Sequence, residues 1–406
     1  MTGFTSKILH ADRRGGIEHG SIHKPVHTAV TYSYDDAHDL AAVFQGKQPG
    51  YTYGRQVNPT VTALADKITL MEQGVATAAF GTGMAAIGTT FFALLRAGDH
   101  VVSSSFLFGN TNSLFNSFAE HGIEMSFVDA TSTNAVRGAI QDNTKLVFVE
   151  TIANPRTQVT DLKGIGELCR DRGLIYVVDN TMTTPYLFQP KDVGASLIIN
   201  SLTKYIGGHG NALGGAVTEA GNHDWSTYPH IYDNYKKGDL SGWAIQQIKK
   251  KGTRDFGASL GPEAAHHISV GSDTLALRME HACRNTQVLT EYLDNHPGIK
   301  KVYYPGLSDH PEHDRAAELF KHPGAIFSVE LTEMDCFEFL NRLDLVICTS
   351  NLGDTRSLGI PVAHSIYFEM GPKRRASMGI DDSLVRFSVG IEETDDLLAD
   401  FEQALA

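Results

Sequence analysis

Lys204 stands in Asn200-Ser201-Leu202-Thr203-Lys204-Tyr205-Ile206-Gly207-Gly208-His209-Gly210, between two short apolar runs at 195–199 and 214–218. Burying an ammonium costs free energy unless it is paired or neutralised. An amine that condenses with an aldehyde is neutralised as a Schiff base, and the hydroxyls of Ser201 and Thr203 flank it where a phosphate could be held. On this segment alone, a surface lysine in a Ser/Gly loop reads equally well. Asp179 closes the apolar run 174–178 and precedes Asn180-Thr181. A carboxylate at a buried strand end needs a cation, or its pKa rises. A protonated ring nitrogen is such a partner; a cap on the next segment is the plainer reading. Glu150 ends a neighbouring run, followed by Thr151-Ile152-Ala153-Asn154-Pro155. Asn154 could donate to a ring oxygen or simply make the turn before Pro155.

Two further positions could hold anions. Gly81-Thr82-Gly83-Met84 leaves a strand and opens a helix, aiming free N–H groups and a helix dipole outward. Such turns are common, so the signal is weak alone. Arg386 sits inside the apolar strand Leu384-Val385-Arg386-Phe387-Ser388-Val389. Its fork suits a planar carboxylate; an internal ion pair with a C-terminal acid fits as well.

These side chains need a frame. From residue 61 the chain alternates apolar runs (76–80, 101–105, 125–128, 146–150, 175–179, 197–200 and 215–218) with helical spacing at 84–95, 111–120, 134–140, 162–172 and briefly near 190–194. That alternation predicts a seven-stranded, mostly parallel sheet covered on both faces, an α/β fold. Ligands then bind at the C-terminal strand ends. Residues 1–60 lack periodicity and a core of their own, and read as an arm laid on another domain or subunit. Residues 61–261 form the large domain. Within it, 219–261 is rich in aromatics and then in lysines, and reads as a solvated helical insertion; a flap over the site or a subunit contact remains open. One long helix is expected over 262–295. Strands at 325–331, 345–349 and 384–389 mix with helices in an α+β C-terminal domain, 262–406.

The net charge of −13 argues against a nucleic-acid partner. Cys169, Cys283, Cys336 and Cys348 form no CxxC pair, as in a reduced cytoplasmic protein. The segment 1–14 lacks the apolar core of a secretory signal, and no apolar stretch is long enough to span a bilayer. His10, His19, His23 and His27 lack metal-ligand spacing, so no metal is expected.

Taken in order, Tyr53-Gly54-Arg55-x-x-Asn58-Pro59-Thr60, Thr82-Gly83-Met84, Asp179-Asn180-Thr181, Ser201-x-Thr203-Lys204-Tyr205-x-x-Gly208-His209 and Leu384-Val385-Arg386-x-Ser388-Val389-Gly390 closely resemble the Cys/Met-metabolism pyridoxal-phosphate enzymes. The resemblance runs from about residue 32 to the C-terminus. It implies a fold-type-I pyridoxal-phosphate-dependent transferase. Lys204 would hold the cofactor covalently and shuttle protons. Asp179 would pair with its ring nitrogen, Asn154 would reach the ring, and Phe108 would stack on it. Gly83, Met84, Ser201 and Thr203 would bind the phosphate. Tyr53 and Arg55 would reach that phosphate from a neighbouring subunit, as in a homotetramer built from dimers. Arg386 and Asn351 would bind an amino-acid substrate.

Four departures bear on the reaction. Phe106-Leu107-Phe108-Gly109 stands where relatives commonly place a tyrosine, and phenylalanine cannot transfer a proton. Asn351 stands where many lyases and cystathionine synthases have a Ser-Leu-Gly run, and is similar to the residue of O-acetylhomoserine sulfhydrylases. Asn211 replaces a frequent aspartate, and 219–261 is longer than usual. The resemblance therefore implies γ-replacement on an O-acetyl- or O-succinylhomoserine by sulfide or a small thiol, in methionine biosynthesis and trans-sulfuration. The alternative is a cystathionine or methionine γ-lyase.

Overall fold

The computed structural model describes residues 3–13 and 16–406. The segment 1–14, read above for a leader, lies partly outside them. The first sheet comprises β1 (Ala76–Phe80), β2 (His100–Ser104), β3 (Glu124–Val128), β4 (Thr144–Glu150), β5 (Ile175–Asp179), β6 (Leu197–Ser201) and β7 (Gly215–Glu219). Across the sheet the order is β1-β7-β6-β5-β4-β2-β3. Strands from β6 to β3 pair in parallel, while β7 lies antiparallel to both β1 and β6. The sheet is therefore mixed: mostly parallel, with one reversed strand.

Side-chain alternation explains why these strands are apolar throughout. Val147, Val149, Tyr176, Val178 and Ile198 pack into one core. Leu146, Phe148, Ile175, Val177 and Leu197 pack into a second core on the opposite face. Successive side chains point to opposite faces, so a sheet covered on both sides leaves no room for a polar stripe. Helices Pro59–Met71 and Leu162–Arg172 cover the first face, and Gly83–Leu94 and Gly109–Glu120 the second.

A second sheet holds β8 (Ile299–Tyr303), β9 (Ile326–Leu331), β10 (Ile347–Cys348), β11 (Leu358–Pro361) and β12 (Leu384–Ser388), ordered β10-β11-β12-β9-β8. Its core gathers Phe327, Phe339, Phe387 and Phe401, with Phe327 stacked on Phe387 at 5.2 Å.

Two sequence expectations need correction. The helix expected over 262–295 is two helices, Pro262–Ser272 and Leu275–Asp294. The break follows from side chains that capture the Gly271 carbonyl. Arg278 Nη2 donates to it at 2.9 Å and Thr274 Oγ1 at 3.2 Å. Asp273, at the break, takes the ammonium of buried Lys67. None of these long-range contacts is visible in local periodicity.

The segment 219–261 is not a solvated insertion. Trp225, Tyr228, Ile231, Ala244, Ile245 and Ile248 join Phe91 and Val217 in the second core. Trp225 Nε1 donates to Glu219 Oε2 at 3.1 Å, and burial pushes the Glu219 carboxyl up to about 8. Its helical part is short: Trp243–Lys249, running into a π turn at Lys250–Phe256. The run of lysines masks an apolar face on the same residues.

The N-terminal segment is anchored through buried Ile8, which packs with Leu64 and Ile68, while Ile22 and Val30 stay exposed. Cys169, Cys283 and Cys336 are buried thiols, and Cys348 is exposed. Among the described residues, no helix is long and apolar enough to cross a membrane, and no three His, Cys, Asp or Glu side chains gather as a metal site.

Candidate functional site

The C-terminal ends of β1, β4, β5 and β6 deliver Thr82–Met84, Glu150, Asp179 and Ser201–Lys204 to one cavity of about 400 Å³. Phe108 and Asn154 line it from neighbouring turns, Asn351 from the loop between β10 and β11, and Arg386 from β12. Every expected site residue except Tyr53 and Arg55 is thus brought together. Those two lie elsewhere in this chain. The Arg55 guanidinium rests over the Tyr53 ring at 5.3 Å and donates to the carbonyls of Thr253 and Arg254.

Lys204 Nζ donates to Asn351 Oδ1 at 2.8 Å. Burial, and then the charge of Arg386, draw its pKa down to about 8. Against the ordinary 10.5, the free-amine fraction near neutral pH rises roughly 300-fold. The turn carrying Lys204 is braced from behind. Arg278 Nη1 donates to Tyr205 O at 2.6 Å, and its Nη2 to Ile206 O at 3.2 Å.

Asp179 and Glu150 are directly paired in the β4–β5 register. Burial pushes both carboxyls up, and the charge of Asp179 raises Glu150 further. Backbone N–H groups donate to both: Thr181 N to Asp179 Oδ1 and Phe108 N to Glu150 Oε1, each at 2.9 Å. Among the described residues no cationic side chain pairs with either acid, and a cation placed against them would favour the ionised carboxylate.

Arg386 is buried on β12. Its Nη2 donates to Asn351 O at 2.9 Å and its Nη1 to Asn154 Oδ1 at 3.4 Å. Among the described residues its Nε has no partner. A buried guanidinium with an idle donor is equipped to receive an anion. Burial draws its pKa down to about 10, which leaves it charged.

The glycines of the cradle are required by close approach. A Cβ on Gly83 would fall 2.8 Å from Ser201 Cβ, and one on Gly215 would fall 2.1 Å from Thr82 O. Thr82 caps the following helix through a 2.9 Å bond from Ala85 N. The turn is thus an N–H-lined concavity at a helix start.

The chemistry of this donor set suits pyridoxal phosphate. It offers an amine of lowered pKa, an acid for a ring nitrogen, a phosphate-sized nest and an idle guanidinium. The Cys/Met metabolism PLP-dependent enzyme family matches residues 5–406. The chain belongs to that family. It is a pyridoxal-phosphate-dependent enzyme of sulfur amino acid metabolism, with the fold-type-I architecture of its structural neighbours. It is 36% identical to the L-methionine gamma-lyase of Fusobacterium nucleatum subsp. polymorphum over 410 residues, covering 99% of this chain and 98% of that protein. It is 32% identical to the homocysteine synthase of Schizosaccharomyces pombe, covering 99% and 98%. A putative O-acetylhomoserine (thiol)-lyase from Campylobacter jejuni, solved with a pyridoxyl-lysine monophosphate, superposes with a TM-score of 0.92 at 29% identity, covering 99% of each chain.

For this member of the Cys/Met-metabolism family, two residues to which the sequence reading gave no role tie the cavity walls together. Thr181 Oγ1 accepts from Ser201 N at 2.8 Å, which ties β5 to β6. Tyr367 OH donates to Asn154 O at 2.6 Å and Leu107 O at 3.2 Å, fastening the turns that carry Asn154 and Phe108. Glu150 could have been promoted from its register with Asp179 once parallel neighbours were assumed. Tyr367 leaves no local signal.

Replacing Gly215 with alanine is expected to push the Thr82–Gly83 turn outward. Overpacking of this kind costs about 1–3 kcal/mol. Thermal melts of apoprotein and holoprotein check it. The holoprotein should lose more, because the displaced N–H groups face the cofactor cradle.

Proposed function

We propose that the enzyme carries out γ-replacement on an O-acylhomoserine, acetyl or succinyl, with sulfide or a small thiol as nucleophile, giving a homocysteine-type amino acid. The observation that carries this reading is Phe108 in the wall of the cavity. Among the described residues of a single chain no tyrosine or histidine lines it, and Phe108 occupies the turn where relatives commonly place a phenol. A thiol leaving group is helped by a proton donor. An acyloxy group departs as a stable carboxylate and needs less help.

In this proposal Lys204 binds the cofactor and moves protons at Cα and Cβ of the substrate, helped by its lowered pKa. Bound pyridoxal phosphate supplies an electron sink for charge developing on the substrate carbon. Asp179 holds the ring nitrogen protonated, and Asn154 and Phe108 position the ring. Gly83, Met84, Ser201 and Thr203 hold the phosphate, joined by Tyr53 and Arg55 of a neighbouring copy. Arg386 and Asn351 orient the substrate carboxylate. The exposed Ile22 and Val30 of an arm with little core of its own support assembly into a homotetramer. A reduced, cytoplasmic setting fits the four free thiols.

A second reading is favoured by the relatives at hand. A methionine or cystathionine γ-lyase would use the same cradle and release 2-oxobutyrate, ammonia and a thiol. Assays with O-acetylhomoserine, O-succinylhomoserine, cystathionine and methionine, with and without sulfide, separate the two. Sulfide-dependent homocysteine from an O-acyl substrate is expected. Predominant 2-oxobutyrate from methionine overturns the replacement reading.

A further inference from the structure

Glu72 closes the helix Pro59–Met71 and is fully buried behind the strand ends that build the site. Asn180, next to Asp179, donates through Nδ2 to Glu72 Oε1 at 3.0 Å. Asn200, next to Ser201, donates through Nδ2 to the same oxygen at 2.6 Å. Among the described residues, two atoms of this trio find no partner: Glu72 Oε2 and Asn200 Oδ1. Both are acceptors if Glu72 is ionised, and two idle buried acceptors are costly. One proton on Oε2 turns it into a donor and removes the conflict.

The surroundings agree. Glu72 sits at the negative end of a helix dipole, where a carboxylate is disfavoured. Burial pushes its carboxyl up to about 7. The charged groups on the elements packed around it are engaged elsewhere. Lys67 pairs with Asp273, Lys191 donates to the Gln73 carbonyl, Glu219 accepts from Trp225 and Gly221, and Asp179 lines the cavity.

We propose that Glu72 is a neutral carboxylic acid whose Oε2–H serves Asn200 Oδ1, forming a two-bond acid–amide pair. With Asn180 Nδ2 donating to Oε1, it locks the ends of β5 and β6 and so sets Asp179 against the Ser201–Lys204 turn. Glu72 is then a positioning residue that never touches the cofactor. The positioning part rests on the cofactor reading above; the protonation part does not.

The folded carboxyl is harder to ionise than the unfolded one. Its contribution to stability is whole below the unfolded value of 4.5 and declines as pH rises through about 7. The difference, 7 minus 4.5, or 2.5 pH units, is roughly a 300-fold change in the folded-to-unfolded ratio. Glu72→Gln keeps the pair with an N–H in place of the O–H and has no proton to lose.

The test compares native protein, Glu72→Gln and Glu72→Leu, each as apoprotein and holoprotein, in melts from about pH 5 to about pH 8.5. The native apoprotein is expected to lose stability relative to Glu72→Gln as pH rises, while Glu72→Leu melts lower throughout. Glu72→Gln as damaging as Glu72→Leu at every pH overturns the neutral acid. Cofactor retention, read from visible absorbance after dialysis, should weaken above about pH 7 in the native protein, be weak at every pH in Glu72→Leu, and hold throughout in Glu72→Gln. Equal retention in all three overturns the positioning role, even with the melts as expected. Failure of the native protein to bind the cofactor at any pH would instead condemn the cofactor reading and leave the melts to judge Glu72.

Discussion

Lys204→Ala is expected to abolish the borohydride-fixed linkage between chain and pyridoxal phosphate, and to lower turnover by at least about 10²–10⁴-fold, the usual contribution of one positioned proton carrier. Its amine meets the requirements for that role. It sits at the end of β6, in the same cavity as the acids of β4 and β5. Its pKa is drawn down to about 8, so free base is at hand near neutrality. Asn351 Oδ1 fixes its direction. Peptide mapping after reduction checks the linkage, and single-turnover assays check the proton transfer. A labelled peptide that lacks residue 204 would assign the attachment to another lysine and dissolve the site as drawn. The cradle at Thr82–Gly83 does not depend on this side chain, so the variant should still hold the free cofactor by its phosphate.

Arg386→Lys should lower kcat/KM by about 10–150-fold, chiefly through KM. A charge-assisted hydrogen bond contributes about 1.5–3 kcal/mol, and each 1.4 kcal/mol is a tenfold change. Lysine keeps the charge but loses the planar fork. The guanidinium has one donor on Asn351 O, one weakly on Asn154 Oδ1, and Nε idle, so a carboxylate gains contacts without breaking the frame. A substrate analogue without its carboxylate provides the control, since native enzyme and variant should handle it alike. An unchanged KM for the full substrate would return Arg386 to a purely structural role. Near-ultraviolet dichroism of the variant guards against a repacked β12.

Much of this was open to inspection in the chain itself, for a definite reason. Strands β4, β5 and β6 are covered on both faces, so each is a short apolar run, and each ends on a polar residue that no core could accept. Glu150, Asp179 and Ser201 are those residues. What stayed hidden depends on distant partners. The break at Asp273–Thr274 arises where Arg278 and Lys67 draw on a helix end. The burial of Trp225 requires Glu219 and the helix Trp243–Lys249, and the neighbouring lysines disguise it. Glu72 looks like any acid at a helix terminus until Asn180 and Asn200 arrive from two different strands. Tyr53 and Arg55 carry a motif that the fold of one chain leaves outside the cavity.

The reversed direction of β7 has an architectural consequence. Gly215 starts that strand beside Ser201, and Glu219 finishes it beside Leu197. The chain therefore departs from the rim opposite the reacting groups, travels past the helix Gly83–Leu94, and regains the near rim only at Ser259, which bridges to Phe80. Extra residues acquired just after Glu219 would accumulate at the remote rim, out of reach of the chemistry. Lengthening the return leg near Ser259 would press directly on the glycine turn that opens the cavity. A single connection thus contains one stretch free to drift in length and another that is not.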